Sequence, residues 1–221
     1  MKFENTEVFN FDGALRGMRN PMNSWSKSDS YFKNDIYCIG EEDLKLAQKL
    51  IKAGSEHRKF LRQIFVSVDI TAPLYIFKEF DTYKVGTVAN STSTMHTLMN
   101  QPITMECFET DDYNVTICDS DDFIFEVESV WHELIDTLEK LRQTYITTKD
   151  KRIWKELIRL LPESWLQTRT VTMNYENILS MIKQRSNHKL NEWSGKDNPN
   201  LSNFVSWANT LPYAEELLFV L

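Results

Sequence analysis

The 221-residue chain carries a net charge of -7, with 42% hydrophobic and 26% charged residues. This balance predicts one domain over residues 1–221, and it disfavours nucleic acid or an anionic membrane as the main partner. No apolar run approaches the roughly 18 residues of a membrane-spanning helix, and residues 1–10 fit neither a secretory signal nor a transit peptide, so we expect a cytoplasmic protein.

The first helix signal lies near residue 12. If Asp12 caps a short helix that stops before Pro21, Arg16 and Arg19 share one face of it. The two arginines would then point either at an anion or at water.

A stronger helix pattern runs from Glu41 to Gly54. Acidic residues open it, apolar residues recur at helical spacing, lysines follow, and Gly54 fits the position just beyond a helix end. The alternating segment from Ile64 to Ile70 then predicts a strand, with its apolar residues on one face. A basic cluster precedes this strand, formed by His57, Arg58, Lys59 and Arg62.

The stretch from Thr71 to His96 begins apolar, passes through charged residues and ends in many serines and threonines. Pro73 suits the first turn of a helix, so residues 74–83 are predicted to be helical, with Gly86 ending the segment. Short hydroxyl side chains and a glycine suit a polar ligand, but a surface loop would have the same composition.

An acidic excursion at about residues 104–128 predicts one or two short strands. Asp119, Asp121 and Asp122 lie in it without the glycine and final glutamate of an EF-hand loop, so we predict no metal site. The three cysteines, at positions 38, 107 and 118, have neither paired nor metal-ligand spacing and are expected to be free thiols.

The second half of the chain has mainly helical patterns. Amphipathic spacing predicts helices over residues 130–145 and 153–161, then a brief strand at 169–173 and a helix that Asn174 opens. Arg185 lies beside the apolar stripe of that helix, where an arginine needs a carboxylate or a ligand anion. A turn at Gly195 precedes a final helix over 204–221, either continuous or broken at Pro212.

In this order the residues resemble the flavin-dependent thymidylate synthases, over nearly the whole chain apart from the acidic excursion. That family has a G-H-x-[ST]-P-F-x-H turn, a strand, Ala-Pro and the signature R-H-R-x7-S. The matching segments here are G-S-E-H-R-K-F-L-R, a strand, Ala72-Pro73 and T-Y-K-V-G-T-V-A-N-S-T, followed later by Leu161-Pro162, Thr168-Arg169, Asn174 and Arg185.

The chain departs from the family within the signature. Thr82, Tyr83 and Lys84 replace R-H-R, Thr92 replaces the serine, and A-N-S-T-S-T-M replaces the N-E-x-S-x-R-Y tail. Glu79 replaces a glutamine that reaches the nucleotide in the family. Its carboxylate would repel a phosphate unless Lys78 or Lys84 neutralised it.

The resemblance implies an α+β fold in a single domain, with helices packed on an antiparallel or mixed sheet and four copies forming a homotetramer with sites at subunit interfaces. It implies a flavoprotein that converts dUMP to dTMP with FAD as cofactor and with NADPH and methylenetetrahydrofolate as cosubstrates. In this chemistry the flavin carries the hydride and no enzyme nucleophile attacks the pyrimidine, so the protein positions and polarises.

By the same resemblance, Arg185 is the catalytic residue, since an arginine that donates to the uracil can activate it. The residues implied in substrate binding are Glu79, Thr92, Ser93, Arg169 and Arg185. Those implied in cofactor binding are His57, Thr82, Tyr83, Lys84, Asn90, Asn174 and His188. Structural roles are the alternative: Arg185 paired with Glu192 or Glu176, Lys84 as a solvated helix end and His57 as a capping residue.

Two other functions stay open at this point. One is a flavin or folate enzyme of the same fold that modifies another pyrimidine nucleotide, for instance by transferring a hydroxymethyl group. The other is a nucleotide-binding relative without catalysis.

Overall fold

The computed structural model describes residues 1–110 and 121–220, and the side chains of all of these except 121–128. Two compact units emerge. The first, here called unit 1, comprises Met1–Ile70, Asp81–Asn90 and Arg169–Leu221, and unit 2 comprises Thr71–Phe80 and Ser91–Thr168. The side chains of Asp119, Asp121 and Asp122, at which we predicted no metal site, are not among those described.

Six strands are present in the described residues: β1 Lys2–Phe9, β2 Tyr31–Lys33, β3 Ile36–Cys38, β4 Phe65–Pro73, β5 Val88–Ser91 and β6 Leu166–Asn174. Four of them lie side by side in the order β1-β4-β6-β5, and β2 and β3 form a separate antiparallel hairpin. The predicted alternation of β4 is confirmed, because Val66, Val68 and Ile70 are fully buried while the residues between them are partly exposed.

Five helices are long enough to pack an apolar face: α1 Phe11–Arg19, α2 Glu41–Ala53, α5 Asp121–Thr148, α6 Lys151–Leu160 and α7 Tyr175–Arg185. The shorter ones are α3 Leu74–Phe80, α4 Thr94–Thr97, α8 Asn191–Ser194, α9 Phe204–Asn209 and α10 Ala214–Leu217. The predicted limits of α2 are confirmed, with Gly54 at a φ of 123° just beyond its end. In α7 the predicted inner residues Ile178, Met181 and Ile182 are buried.

Several element predictions were wrong. The predicted helix over 74–83 stops at Phe80, the final helix is two short helices on either side of Pro212, and residues 121–129 are helical rather than extended. Strands β1, β2, β3 and β5 were missed because their residues are mostly exposed and show no clean alternation of apolar and polar side chains.

Unit 2 has its own core, formed by Leu98, Ile103, Phe108, Leu138, Leu157 and Trp165. Beside it, Arg142 donates two hydrogen bonds to Glu139 at 2.7 Å, and Glu139 also accepts from the backbone N–H of Ile103 at 2.8 Å. The Arg142 guanidinium lowers the pKa of Glu139 to about 2. This contact fixes α5 against the segment that precedes it. None of the helices in residues 1–110 and 121–220 combines the length and the apolar composition that crossing a bilayer requires.

The predicted cap of α1 is wrong, because Asn10 is the capping position and Asp12 lies in the first turn. The two arginines of this helix have different partners. Arg16 makes an exposed contact with Asp12 at 3.3 Å, whereas Arg19 is only 5% exposed and its Nε donates to the fully buried Asp43. Asp43 also accepts from the Ser28 and Ser30 hydroxyls, both at 2.6 Å. Burial raises the pKa of Asp43, but the hydrogen bonds from Ser28, Ser30 and Arg19 outweigh it and hold that pKa below its usual 3.8.

We predict that Asp43→Asn lowers the free energy of unfolding at pH 7 by about 3 to 5 kcal/mol, because it leaves the buried Arg19 without a counter-charge. Because the folded pKa of Asp43 is depressed, its contribution is complete above the usual value of 3.8 and is lost as the pH falls below it. The gap between the two proteins in urea unfolding should therefore narrow at acid pH.

Asp12→Asn is the matched control, since it removes the exposed partner of the neighbouring Arg16 and should cost less than about 1 kcal/mol. Equal losses for the two variants would contradict a structural role for the buried pair.

Candidate functional site

A pocket of about 620 Å³ opens in unit 1 beside the N-terminus of α7. Three segments line it: the residues just before and at the start of β4, the loop over residues 82–86, and the first turns of α7. We call it the α7 pocket. The polar and charged side chains of its lining are those of Arg62, Thr82, Tyr83, Lys84, Asn174, Glu176, Asn177 and Ser180.

Asn174 ends β6 and caps α7. Its Oδ1 accepts from the Asn177 backbone N–H at 3.0 Å, and the Asn177 Oδ1 accepts from the Asn174 backbone N–H at 3.2 Å. This reciprocal capping box satisfies two backbone donors at the helix start. The Asn177 Nδ2 then donates to the Val85 carbonyl at 2.7 Å, so the helix cap also holds the loop.

Gly86 allows this loop to approach the cap. Its φ is +75°, and a Cβ at this position would lie 2.7 Å from the Asn174 Nδ2 and 3.3 Å from the Asn177 Oδ1. A side chain here would therefore meet both strain and a clash.

The charge balance in the α7 pocket is positive. Arg62 and Lys84 are exposed, and neither forms a salt bridge with any described residue. The only carboxylate in the lining, Glu176, is already neutralised by Arg58, which donates three hydrogen bonds of 2.8 to 3.1 Å to it. Two unpaired cations with the hydroxyls of Thr82 and Ser180 form a donor set suited to phosphate.

Arg185 adjoins the pocket through Tyr83. Its Nε donates to the Tyr83 hydroxyl at 2.9 Å, and that hydroxyl donates to the Gln184 Oε1 at 3.0 Å. The guanidinium lies 5.6 Å from the Tyr83 ring centroid and 4.9 Å from that of Trp193, within cation–π range of both. Because Glu176 is taken by Arg58, the predicted alternative of an Arg185–Glu176 pair is wrong.

Six of the predicted site residues belong to this neighbourhood. Thr82, Tyr83, Lys84 and Asn174 line the α7 pocket, and Arg185 contacts Tyr83. His188 packs edge-on against Trp193, with 6.4 Å between ring centroids, and its Nδ1 accepts from the Leu190 backbone at 3.1 Å.

Three further predicted residues belong to unit 1 but do not line the pocket. His57 is exposed in the turn after Gly54, and Asn90 is exposed on β5. Arg169 forms a salt bridge at 2.7 Å with Asp81, the residue that directly precedes the 82–86 loop.

The remaining predicted substrate residues, Glu79, Thr92 and Ser93, belong to unit 2. Thr92 exchanges hydrogen bonds with the Thr168 backbone, at 2.8 and 3.2 Å, so its Oγ1 is engaged in the structure. Lys78, one of the two lysines considered as a neutralising partner for Glu79, pairs with Glu163.

Sequence reasoning missed several residues of the neighbourhood. The Asn-x-x-Asn spacing of Asn174 and Asn177 was a usable signal for a reciprocal cap, with the second asparagine in place of the usual Glu or Gln. Nothing local indicated that Arg58 would neutralise Glu176 or that Arg62 would line the pocket, because these contacts join distant segments. The contact of Trp193 with Arg185, eight residues earlier, depends on the turn between α7 and α8, which has no recognisable pattern.

Solved structures share this α+β fold. The crystal structure of the flavin-dependent thymidylate synthase ThyX from Helicobacter pylori, complexed with FAD and dUMP, matches with a TM-score of 0.66 at 15% identity and covers 99% of this chain and 98% of its own. A second structure of that enzyme with FAD and dUMP gives a TM-score of 0.65 at 16% identity, covering 99% and 97%.

No family model and no curated protein sequence matches the chain. The structural similarity to these two structures confirms the predicted α+β fold class, and at 15 and 16% identity it shows the fold alone.

We predict that Gly86→Ala lowers the free energy of unfolding by about 1 to 3 kcal/mol, because alanine is strained at a positive φ and its methyl group would displace the Asn174 cap. Urea unfolding measures the loss. The neighbouring Val85→Ala is the control, since that side chain is 87% exposed and its truncation leaves the backbone carbonyl in place. A Gly86→Ala protein as stable as the control would contradict the close approach of loop and cap.

Proposed function

We propose that the chain is a flavoprotein that binds FAD and dUMP and catalyses the reductive methylation of dUMP to dTMP, with methylenetetrahydrofolate and NADPH as cosubstrates. One observation carries the proposal. Four residues implied in cofactor binding, Thr82, Tyr83, Lys84 and Asn174, line a single pocket in a chain with the fold of an FAD- and dUMP-binding ThyX.

The lining of the α7 pocket suits FAD. Its volume of about 620 Å³ is within the range of small-molecule sites. Lys84 and Arg62 would hold the negative diphosphate, with the Thr82 and Ser180 hydroxyls as additional donors. Phe65 and Val85 add apolar surface, which a flavin ring requires.

Arg62 compensates for the altered signature. The resemblance leads one to expect three protonatable side chains in the triplet, and only Lys84 keeps a charge there. Arg62 supplies a second positive charge to the same pocket from a different segment. The loss of two basic residues from the triplet therefore does not remove the attraction for an anion.

Arg185 is the residue we assign to the uracil. A bound flavin would supply the hydride, and the chain would bind and orient the pyrimidine and stabilise the negative charge that develops on it. The Tyr83 hydroxyl and the rings of Tyr83 and Trp193 fix the direction of the guanidinium. An arginine that is oriented before the substrate arrives loses little entropy on binding it.

The homotetramer also belongs to this proposal, and size-exclusion chromatography with light scattering tests it. The two other functions give different results in binding and activity assays. Bound flavin without dTMP formation would favour another pyrimidine nucleotide, and nucleotide binding without flavin would favour a relative that has lost catalysis.

We predict that the purified protein shows a flavin absorption spectrum and that Lys84→Gln and Arg62→Gln each weaken FAD binding about tenfold or more, the value of one charge-assisted hydrogen bond. Fluorescence titration of the apoprotein with FAD measures this. Lys189→Gln is the control, because it removes an exposed lysine that does not line the pocket. Colourless protein that binds no added FAD would refute the proposal.

We also predict that Arg185→Ala abolishes dUMP binding while the protein stays folded, as checked by circular dichroism. Tyr83→Phe keeps the ring but removes the acceptor for the Arg185 Nε, so it should weaken dUMP binding by about three- to tenfold. Equilibrium dialysis with labelled dUMP gives both values. Lys183→Ala, an exposed change on the same helix, should bind like the wild type. Unchanged affinity in Arg185→Ala would remove this arginine from the site.

A further inference from the structure

Unit 1 contains a second cavity, of about 470 Å³, whose chemistry is opposite to that of the α7 pocket. We call it the hairpin cavity, because the β2–β3 hairpin forms one side of it. The start of α1 and the segment just before α10 supply the rest. The aromatic and acidic side chains of its lining are those of Phe11, Asp12, Phe32, Asp35, Tyr37 and Tyr213.

Four aromatic rings line the hairpin cavity as two edge-to-face pairs. Phe32 and Tyr37 face each other across the hairpin with centroids 5.1 Å apart, and Phe11 and Tyr213 pair at 5.6 Å. Phe32 is 62% exposed, so much of its surface is available to a ligand. Tyr213 has a φ of 55°, a conformation that bulky residues rarely adopt, and its hydroxyl accepts from the Ile39 backbone at 2.9 Å.

Two carboxylates accompany the rings, and no lysine or arginine lines the cavity. Asp35 lies in the hairpin turn at a φ of 61° and has no salt-bridge or hydrogen-bond partner among the described residues. Asp12 forms an exposed salt bridge with Arg16 at 3.3 Å. Burial, together with the negative charges of Asp12 and Asp43, raises the pKa of Tyr37 despite an opposing hydrogen bond with Ser30.

This combination selects for positive charge. Aromatic faces attract cations through their quadrupole, and carboxylates attract them directly. An anion would be repelled by Asp12 and Asp35, and a neutral apolar ligand would desolvate both carboxylates without giving them a partner.

We propose that the hairpin cavity binds a small organic cation of the alkylammonium or quaternary ammonium class. The rings of Phe32, Tyr37, Phe11 and Tyr213 contact its methyl or methylene groups, and Asp35 supplies the unpaired counter-charge. This site is separate from the proposed FAD and dUMP site, so each can fail without the other.

Choline chloride is the probe, followed by amide chemical shifts of the ¹⁵N-labelled full chain, with sodium chloride at equal ionic strength as the reference. We expect saturable shifts in residues 32–37 and at the start of α1. The uncharged isostere 3,3-dimethylbutan-1-ol should bind at least about fivefold more weakly, the value of two or more cation–π contacts. Equal binding of the isostere, or no saturable shift with choline, would overturn the proposal.

Two variants locate the site. Asp35→Asn and Phe32→Leu should each lower choline affinity about three- to fivefold, because each removes one charge or one ring at an exposed position. Asp197→Asn removes an exposed carboxylate that does not line the cavity and should bind choline like the wild type. If Asp35→Asn behaves like Asp197→Asn, the assignment is wrong. Amide spectra of the three variants that match the wild type away from the substituted positions show that unit 1 is still folded.

Discussion

The reciprocal cap of Asn174 and Asn177 is the contact on which the α7 pocket depends. It joins the end of β6 to the start of α7, and through the Val85 carbonyl it also holds the loop that carries Thr82, Tyr83 and Lys84. Gly86 permits the approach, since its missing side chain leaves room for the Asn174 amide. Asn174 therefore ends a strand and begins a helix, while Asn177 completes the cap and holds the loop, so a change in this pair affects the pocket and the fold together.

Charge pairing within unit 1 decides which of its cavities attracts which ligand. Arg58 neutralises Glu176, so Arg62 and Lys84 give the α7 pocket its sign. In the hairpin cavity Asp35 has no such partner among the residues that the structure describes, and the charge of the lining is negative. A chain with a net charge of -7 can thus have a locally positive pocket, because nearby charges act more strongly than distant charges that the solvent screens.

The sequence predicted the elements whose apolar residues follow a regular period, such as β4 and α7, because the side chains that each element buries recur at that same period. It missed β1 and the hairpin because their strands are mostly exposed and are held by pairing between segments. At the site, the resemblance named Thr82, Tyr83, Lys84 and Asn174, which line one pocket in the structure. It could not find Arg58, because its partner Glu176 lies far away in the sequence, or Trp193, because the turn between α7 and α8 that brings this ring to Arg185 has no local pattern that encodes the contact.

Tyr83 illustrates how an altered signature can keep a site's geometry. The residue replaces a histidine of the related pattern and loses a protonatable group, yet its hydroxyl accepts the Arg185 Nε and its ring stacks beneath the guanidinium. A neutral tyrosine hydroxyl can accept one hydrogen bond and donate another, whereas a histidine ring that gains a proton loses its acceptor atom. The second aromatic contact of Arg185 is with Trp193, whose fully buried ring restricts the positions that the guanidinium can take. Neutral aromatic groups therefore help to position this arginine, and cation–π contacts with them leave its positive charge in place.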